Sequence, residues 1–255
     1  MNKLTVKTKT ALIVGATIVM VGGVYLNRAY SHIYSTIGAA GLPPVETPGR
    51  HTIINNSEAG EPLVYAILGD SLSAGAGAER PADSLPHQLA VRLAGPARNA
   101  ILYNESVSSY KTADLLPILL PVTIAAQPDV VTVLIGVNDI HNQVSLPDFR
   151  RNYEQILEQL TAGTTARIYA VSIPFIGADR LMRPPYQAYF DYQTRRFNAV
   201  IQELAVKYGV SYVDLYSPTV SLFKKSGGHY SADLFHPSAT GYQIWADLIY
   251  DRIHQ

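Results

Sequence analysis

The chain reads as an α/β domain of the doubly wound kind: a parallel sheet between two helical layers, a three-layer α/β/α sandwich. Three observations predict this. From about residue 61 onward, short uninterrupted apolar runs of strand length recur. Helix-length amphipathic stretches separate them. Several of the runs stop at glycine or proline rather than fading into polar alternation. A strand buried on both faces has no polar side to show, so continuous apolar runs alternating with helices are what a doubly covered parallel sheet requires.

The elements follow in order. Leu63 to Leu68 is the first expected strand, ending at Gly69-Asp70, and Ala100 to Asn104 is the second. Val130 to Ile135 is the third, closed by Gly136. Ile168 to Ile173 is the fourth, stopped by Pro174, and Val210 to Leu215 is the fifth. Helices are expected over Ser84–Leu93, Thr112–Ala125, Leu146–Leu160, Phe190–Tyr208 and Ala239–Ile253. A five-stranded parallel sheet wound this way is flavodoxin-like. Its ligand site lies beyond the carboxyl ends of the strands, so residues that carry chemistry should follow strands directly.

Composition narrows the function classes. The chain has 255 residues, 47% hydrophobic and 16% charged, which is enough apolar material for a full core and too little charge for a disordered chain. Lys+Arg and Asp+Glu balance at 20 each, and no basic stripe with interleaved aromatics appears, which argues against a nucleic-acid partner. The absence of cysteine rules out disulfides, thiolate catalysis and Cys-ligated zinc.

The amino terminus divides from the rest. Lys3, Lys7 and Lys9 precede an uncharged run, Thr10 to Leu26, near the short end of bilayer-spanning length. Basic-then-apolar is the pattern of a signal peptide or signal anchor. Tyr25, Leu26, Asn27 and Arg28 offer no small-x-small cleavage site, which favours an uncleaved anchor in residues 1–26 over a cleaved signal and a secreted product. The lysines favour staying inside, so the rest of a single-pass membrane protein would lie outside the cytoplasm. Residues 27–60, with Pro43, Pro44 and Pro48, read as a tether, and residues 61–255 as the domain.

Three groups of residues stand where the fold logic wants chemistry or near the carboxyl end. Gly69-Asp70-Ser71-Leu72-Ser73 follows the first strand. A serine at a strand-to-helix turn presents its hydroxyl at the sheet edge, Gly69 suits a turn too tight for a Cβ, and Asp and Ser are also ordinary helix caps. Gly136-Val137-Asn138-Asp139 follows the third strand, and the Asn138 amide is a donor suited to a developing oxyanion. Asp233-Leu234-Phe235-His236-Pro237 lies near the carboxyl end. An acid and a histidine three apart can meet on one turn, the carboxylate accepting from Nδ1 and leaving Nε2 free for a serine proton.

Together these blocks resemble the SGNH hydrolase family, also called GDSL esterases and lipases, over about residues 63 to 253. The resemblance implies Ser71 as nucleophile, His236 as base and Asp233 as its orienting acid. It implies an oxyanion hole from the Ser71 and Ser109 backbone N–H groups and the Asn138 amide. The second block departs from the family pattern: Asn104-Glu105-Ser106-Val107-Ser108-Ser109-Tyr110 has Ser109 where a glycine is usual. A serine keeps its N–H, so the hole survives unless the position demands positive φ, in which case strain or a rearranged loop follows.

No Gly-x-Ser-x-Gly elbow, His-Glu-x-x-His, phosphate-binding Gly-Lys-Ser/Thr or full Gly-x-Gly-x-x-Gly is present, and no metal or organic cofactor is expected. His87, His141 and His229 lack ligand spacing and read as surface or structural. Phe175 to Phe190, rich in bulky and cationic side chains, is read as a wall of the substrate site or as a packed surface loop. The expected activity is hydrolysis of small-molecule, lipid or polysaccharide esters through an acyl-enzyme, of carboxylesterase or lipase type. The alternatives are an O-acetyl polysaccharide deacetylase of the cell envelope and a membrane-tethered binding module on the same scaffold.

Overall fold

The computed structural model describes residues 6–42, 48–53, 60–224 and 228–254. Lys3, Pro43 and Pro44, used above, lie outside the described residues. The chain opens with helix α1, Val6–Ala39. The strands are β1 Gly49–Ile53, β2 Leu63–Gly69, β3 Ala100–Ser106, β4 Val130–Leu134, β5 Arg167–Val171 and β6 Ser211–Val213. The remaining helices are α2 Ser71–Ala74, α3 Leu85–Ala94, α4 Thr112–Leu115, α5 Leu119–Ala125, α6 Val137–His141, α7 Leu146–Gly163, α8 Tyr186–Tyr208, α9 Tyr216–Phe223 and α10 Ala239–Ile253.

The sheet order is β1-β3-β2-β4-β5-β6. Strands β2 to β6 are parallel, and β1 runs antiparallel along the edge of β3. The chain steps from β2 to β3 in one direction and then returns past β2 to β4. Right-handed crossovers therefore put α3 on one face and α5, α7 and α8 on the other. Helix α10 packs on α3, and α7 packs on α5 and α8, which completes the three layers. The reversal of direction falls at the carboxyl end of β2, directly before Ser71.

Every residue of β4 is buried, as are all but one of β2, so the continuous apolar runs mark strands covered on both sides. The doubly wound fold is the expected one, and the strand count is corrected from five to six, in a mixed sheet. The additional strand is β1, Gly-Arg-His-Thr-Ile, short and polar at the sheet's edge, where only one neighbour and modest burial are needed. The expected helix Thr112–Ala125 is two helices: Pro117 has no N–H to continue the helical ladder, and Ile118 leaves helical geometry at φ of −131°. Pro121 is tolerated in the first turn of α5, where its missing N–H is no loss.

The stretch 27–60 also departs from a plain tether. Helix α1 continues without interruption past Leu26 to Ala39, and β1 lies within the same stretch. Leu12, Ile13, Ile18, Val19, Met20 and Val21 of α1 are exposed, whereas Ala29 and Ile33 are only 2% exposed and Ile33 joins the domain's core. One face of the later turns is thus packed like part of a globular domain.

Candidate active site

Ser71 is the first residue of α2, separated from the end of β2 by Asp70 alone. Asp70 caps that helix, its Oδ1 accepting from the Leu72 N–H at 3.0 Å. The turn is too close for any side chain at Gly69: a Cβ there would sit 2.1 Å from the Leu134 carbonyl oxygen. That carbonyl also accepts from the Ser73 hydroxyl at 2.6 Å, which ties the turn to the end of β4.

His236 reaches Ser71 from the far end of the chain. The Ser71 hydroxyl and His236 Nε2 are 2.9 Å apart, and His236 Nδ1 lies 2.5 Å from Asp233 Oδ2. An ionised carboxylate only accepts, so Nδ1 carries the proton and donates to Asp233. That leaves Nε2 as the acceptor of the serine O–H. Asp233 is fully buried, and its other oxygen, Oδ1, accepts from the Ser231 hydroxyl and from the backbone N–H groups of Phe235 and His236 at 2.8 to 2.9 Å. Burial by itself would raise the Asp233 carboxyl. The His236 hydrogen bond and charge, with the Phe235 N–H and the Ser231 hydroxyl, outweigh it and hold the group below the ordinary carboxylate range. Ser231 was not singled out from the sequence. Its place two residues before Asp233 is a local side-chain bridge of the kind serines form in turns, and that spacing is the signal that marks it.

On the other side of Ser71, the second-block loop folds back on the first. The Val107 N–H donates to the Gly69 carbonyl at 3.1 Å, and the Tyr110 N–H closes a turn onto Val107 at 3.2 Å. Ser109 has φ of 69°, the left-handed region that the third position of a type II turn demands and that glycine normally supplies. The position therefore does require positive φ, and serine occupies it at a cost of ~1 kcal/mol or more.

Asn138 lies in the first turn of α6, after Gly136. Gly136 has φ of 128°, and a Cβ there would meet Ile173 Cδ1 at 2.7 Å, so the β4-to-α6 turn depends on glycine. The Asn138 amide donates one hydrogen to the Tyr110 carbonyl at 3.1 Å, which pins α6 to the Ser109 loop and leaves a second hydrogen unused by that bond. Asp139 points away and accepts from the Thr112 N–H and hydroxyl at 3.0 and 2.6 Å, fastening α4 behind the site. Burial raises the Asp139 carboxyl, and burial pushes that of Asp70 up to about 7, with the nearby Asp139 adding to it.

His141 is packed between Phe190 and Phe235, ring centroids 4.8 and 5.5 Å away, and burial holds its pKa down to about 4. It is packed as a neutral imidazole among aromatic rings. Among the described residues no group of three or more His, Cys, Asp or Glu side chains is arranged to hold a metal ion.

A doubly wound α/β sandwich that joins a serine, a histidine and an aspartate in series at the switch point has the arrangement an ester hydrolase can use. More particularly, residues 67–244 match the GDSL-like Lipase/Acylhydrolase family, and the chain belongs to that family and is a hydrolase of ester bonds. Solved structures share the fold. A lipase/acylhydrolase from Enterococcus faecalis is 21% identical, covering 75% of this chain and 95% of its own, with a TM-score of 0.58. An acetylxylan esterase from Geobacillus stearothermophilus is 18% identical, covering 78% and 97%, with a TM-score of 0.59. A psychrotrophic esterase from Pseudoalteromonas sp. is 19% identical, covering 75% and 96%, with a TM-score of 0.60. No curated protein matches the chain in sequence.

Proposed function

We propose that the protein is a membrane-anchored carboxylesterase of lipase type that works through a Ser71–His236–Asp233 relay and a covalent acyl-enzyme. The Ser71 oxygen attacks the ester carbonyl carbon while its proton passes to His236 Nε2. Asp233 holds the Nδ1–H tautomer and stabilises the imidazolium. The Ser71 and Ser109 N–H groups and the free hydrogen of the Asn138 amide receive the oxyanion. Collapse breaks the bond to the alcohol oxygen, which leaves with the proton from His236. Water, deprotonated by His236, then attacks the acyl carbon and releases the acid and Ser71.

The observation that supports this reading is the unbroken chain of hydrogen bonds from the Ser71 hydroxyl through His236 to a buried, fully bonded Asp233. The apolar, lysine-flanked first half of α1 supports an anchor, with the hydrolase domain outside the cytoplasm. The acetylxylan esterase among the similar folds keeps acetyl esters of polysaccharides as a second substrate class.

The test is hydrolysis of p-nitrophenyl esters from acetate to palmitate by the full chain in detergent, with Ser71→Ala as control. We expect activity that vanishes in the variant and an optimum at medium or long acyl chains. An optimum at acetate would transfer the assignment to a deacetylase. Undiminished activity in Ser71→Ala would remove the serine relay.

A further inference from the structure

The helix that carries the apolar run is also bonded to the hydrolase domain, and the bonds begin where that run ends. The Tyr25 hydroxyl donates to the Pro184 carbonyl at 2.8 Å, and the Tyr186 hydroxyl donates to the Leu26 carbonyl at 3.1 Å. The rings of Tyr30 and Tyr186 are 5.5 Å apart, and two residues further on His32 Nε2 meets the Arg180 carbonyl at 3.2 Å. Ala29 and Ile33 are buried along the same side. Helix α1 has no break between these contacts and its exposed apolar half.

This geometry limits where the domain can sit. The apolar run Thr10 to Leu26 is about 25 Å long at ~1.5 Å per residue, close to the ~30 Å hydrocarbon core. Tyr25 and Leu26 therefore lie at the hydrocarbon boundary, and exposed Tyr30 and Tyr34 follow as interfacial tyrosines do. Pro184 and Tyr186, bonded directly to Tyr25 and Leu26, must lie at the same depth. No tether separates them from the membrane surface.

We infer that the segment Arg183 to Tyr189 of the hydrolase domain is a membrane-docking surface, set in the phospholipid headgroup layer of the bilayer that α1 enters. The chemistry of the segment suits phosphate headgroups. Arg183, Pro184, Pro185, Ala188 and Tyr189 are exposed, and Arg28 of α1 is exposed at the same level. Within residues 175–190 the only acid is Asp179, against Arg180 and Arg183. Arginine near an anionic bilayer surface is drawn to the phosphate headgroups. The same loop is joined to the catalytic segment, since the Ala178 N–H donates to the Leu234 carbonyl at 3.0 Å, between Asp233 and His236. The domain is held at a fixed height and tilt, and esters are taken from the membrane surface or its immediate vicinity. The inference rests on the reading of α1 as a membrane anchor.

Because the chain has no cysteine, single cysteines report depth without background. The full chain is reconstituted in vesicles of phosphatidylethanolamine and phosphatidylglycerol and labelled with a fluorophore at Ile18→Cys, Ala188→Cys or Ala39→Cys. Ala39 lies about 20 Å beyond Leu26 along the helix axis. Quenching is read with nitroxides on the acyl chains or on the headgroups. We expect acyl-chain quenching at Ile18, headgroup quenching at Ala188 several-fold above that at Ala39, and a fall at Ala188 when Arg183→Glu is added. Ile18 quenched with Ala188 no more accessible than Ala39 would overturn the docking surface and leave the anchor. No acyl-chain quenching at Ile18 would overturn the anchor and the docking surface together.

Discussion

The two sides of Ser71 are held by different means. On the side of His236 and Asp233, every polar atom that positions the imidazole is bonded, and the acid is buried and accepts four hydrogen bonds. On the side of Ser109 and Asn138, a non-glycine residue sits at φ of 69°, and the amide is shared with the Tyr110 carbonyl. The first side is over-determined. The second depends on a single strained turn and one borrowed hydrogen bond. The proposed proton relay is therefore held more firmly than the proposed oxyanion side, and substitutions separate the two.

The largest effect is expected from Asp233→Asn. It keeps the shape but reverses the tautomer of His236, and in comparable relays that costs about 10⁴ in turnover. A loss of less than tenfold in steady-state kinetics would mean that Asp233 does not orient the base. Asn138→Ala should cost about 10²–10³ in kcat, as removal of one oxyanion donor does, with KM little changed. The variant also frees the Ser109 loop from α6, so a loss confined to KM would point to loop disorder rather than a missing donor.

Stability should depend on pH through the buried acid next to Ser71. Asp70 is raised to about 7 by burial, above its ordinary value, so the folded chain holds a proton there that the unfolded chain releases. The stabilising contribution is complete below about pH 4 and is lost as pH rises through about 7, on the order of a few kcal/mol. Glu105, also buried and raised to about 7, acts in the same direction. Asp233 has a lowered value and acts oppositely, below about pH 4. Thermal melts from pH 5 to 8 should show a falling Tm, and Asp70→Asn should flatten that slope. An unchanged slope in the variant would assign the dependence elsewhere.

The smallest effect is at Ser109. Ser109→Gly removes the left-handed penalty and should raise stability by up to about 1 kcal/mol, partly offset by the greater freedom of glycine when unfolded. Turnover should hold or rise within a few fold, since the N–H is retained. A drop in both would show that the serine side chain contributes something its backbone does not.

Much of this was legible in the sequence because it is written in local patterns. Continuous apolar runs at 63–68 and 130–135 marked doubly covered strands, and Ser71, Asn138, Asp233 and His236 stood after strands or in a short acid–histidine spacing. The misses have equally local reasons. Strand β1 has too little apolar character to announce itself. Pro117 divides a helix whose apolar period runs on either side of it. The later turns of α1, tyrosine-rich and flanking a proline-bearing stretch, gave no periodicity that distinguished a packed face from a tether.

What the sequence determined by itself was the fold class, the candidate site residues and the apolar first half of α1, since periodicity and residue type suffice for each. Only the tertiary structure decided that His236 reaches a serine 165 positions away, that Ser109 is held at positive φ, and that α1 is fastened to the domain at Pro184 and Tyr186. Those depend on contacts between segments distant in the chain. A pattern of neighbours along the sequence encodes which face of an element is apolar, and the packing of that face against the rest of the molecule selects its partner.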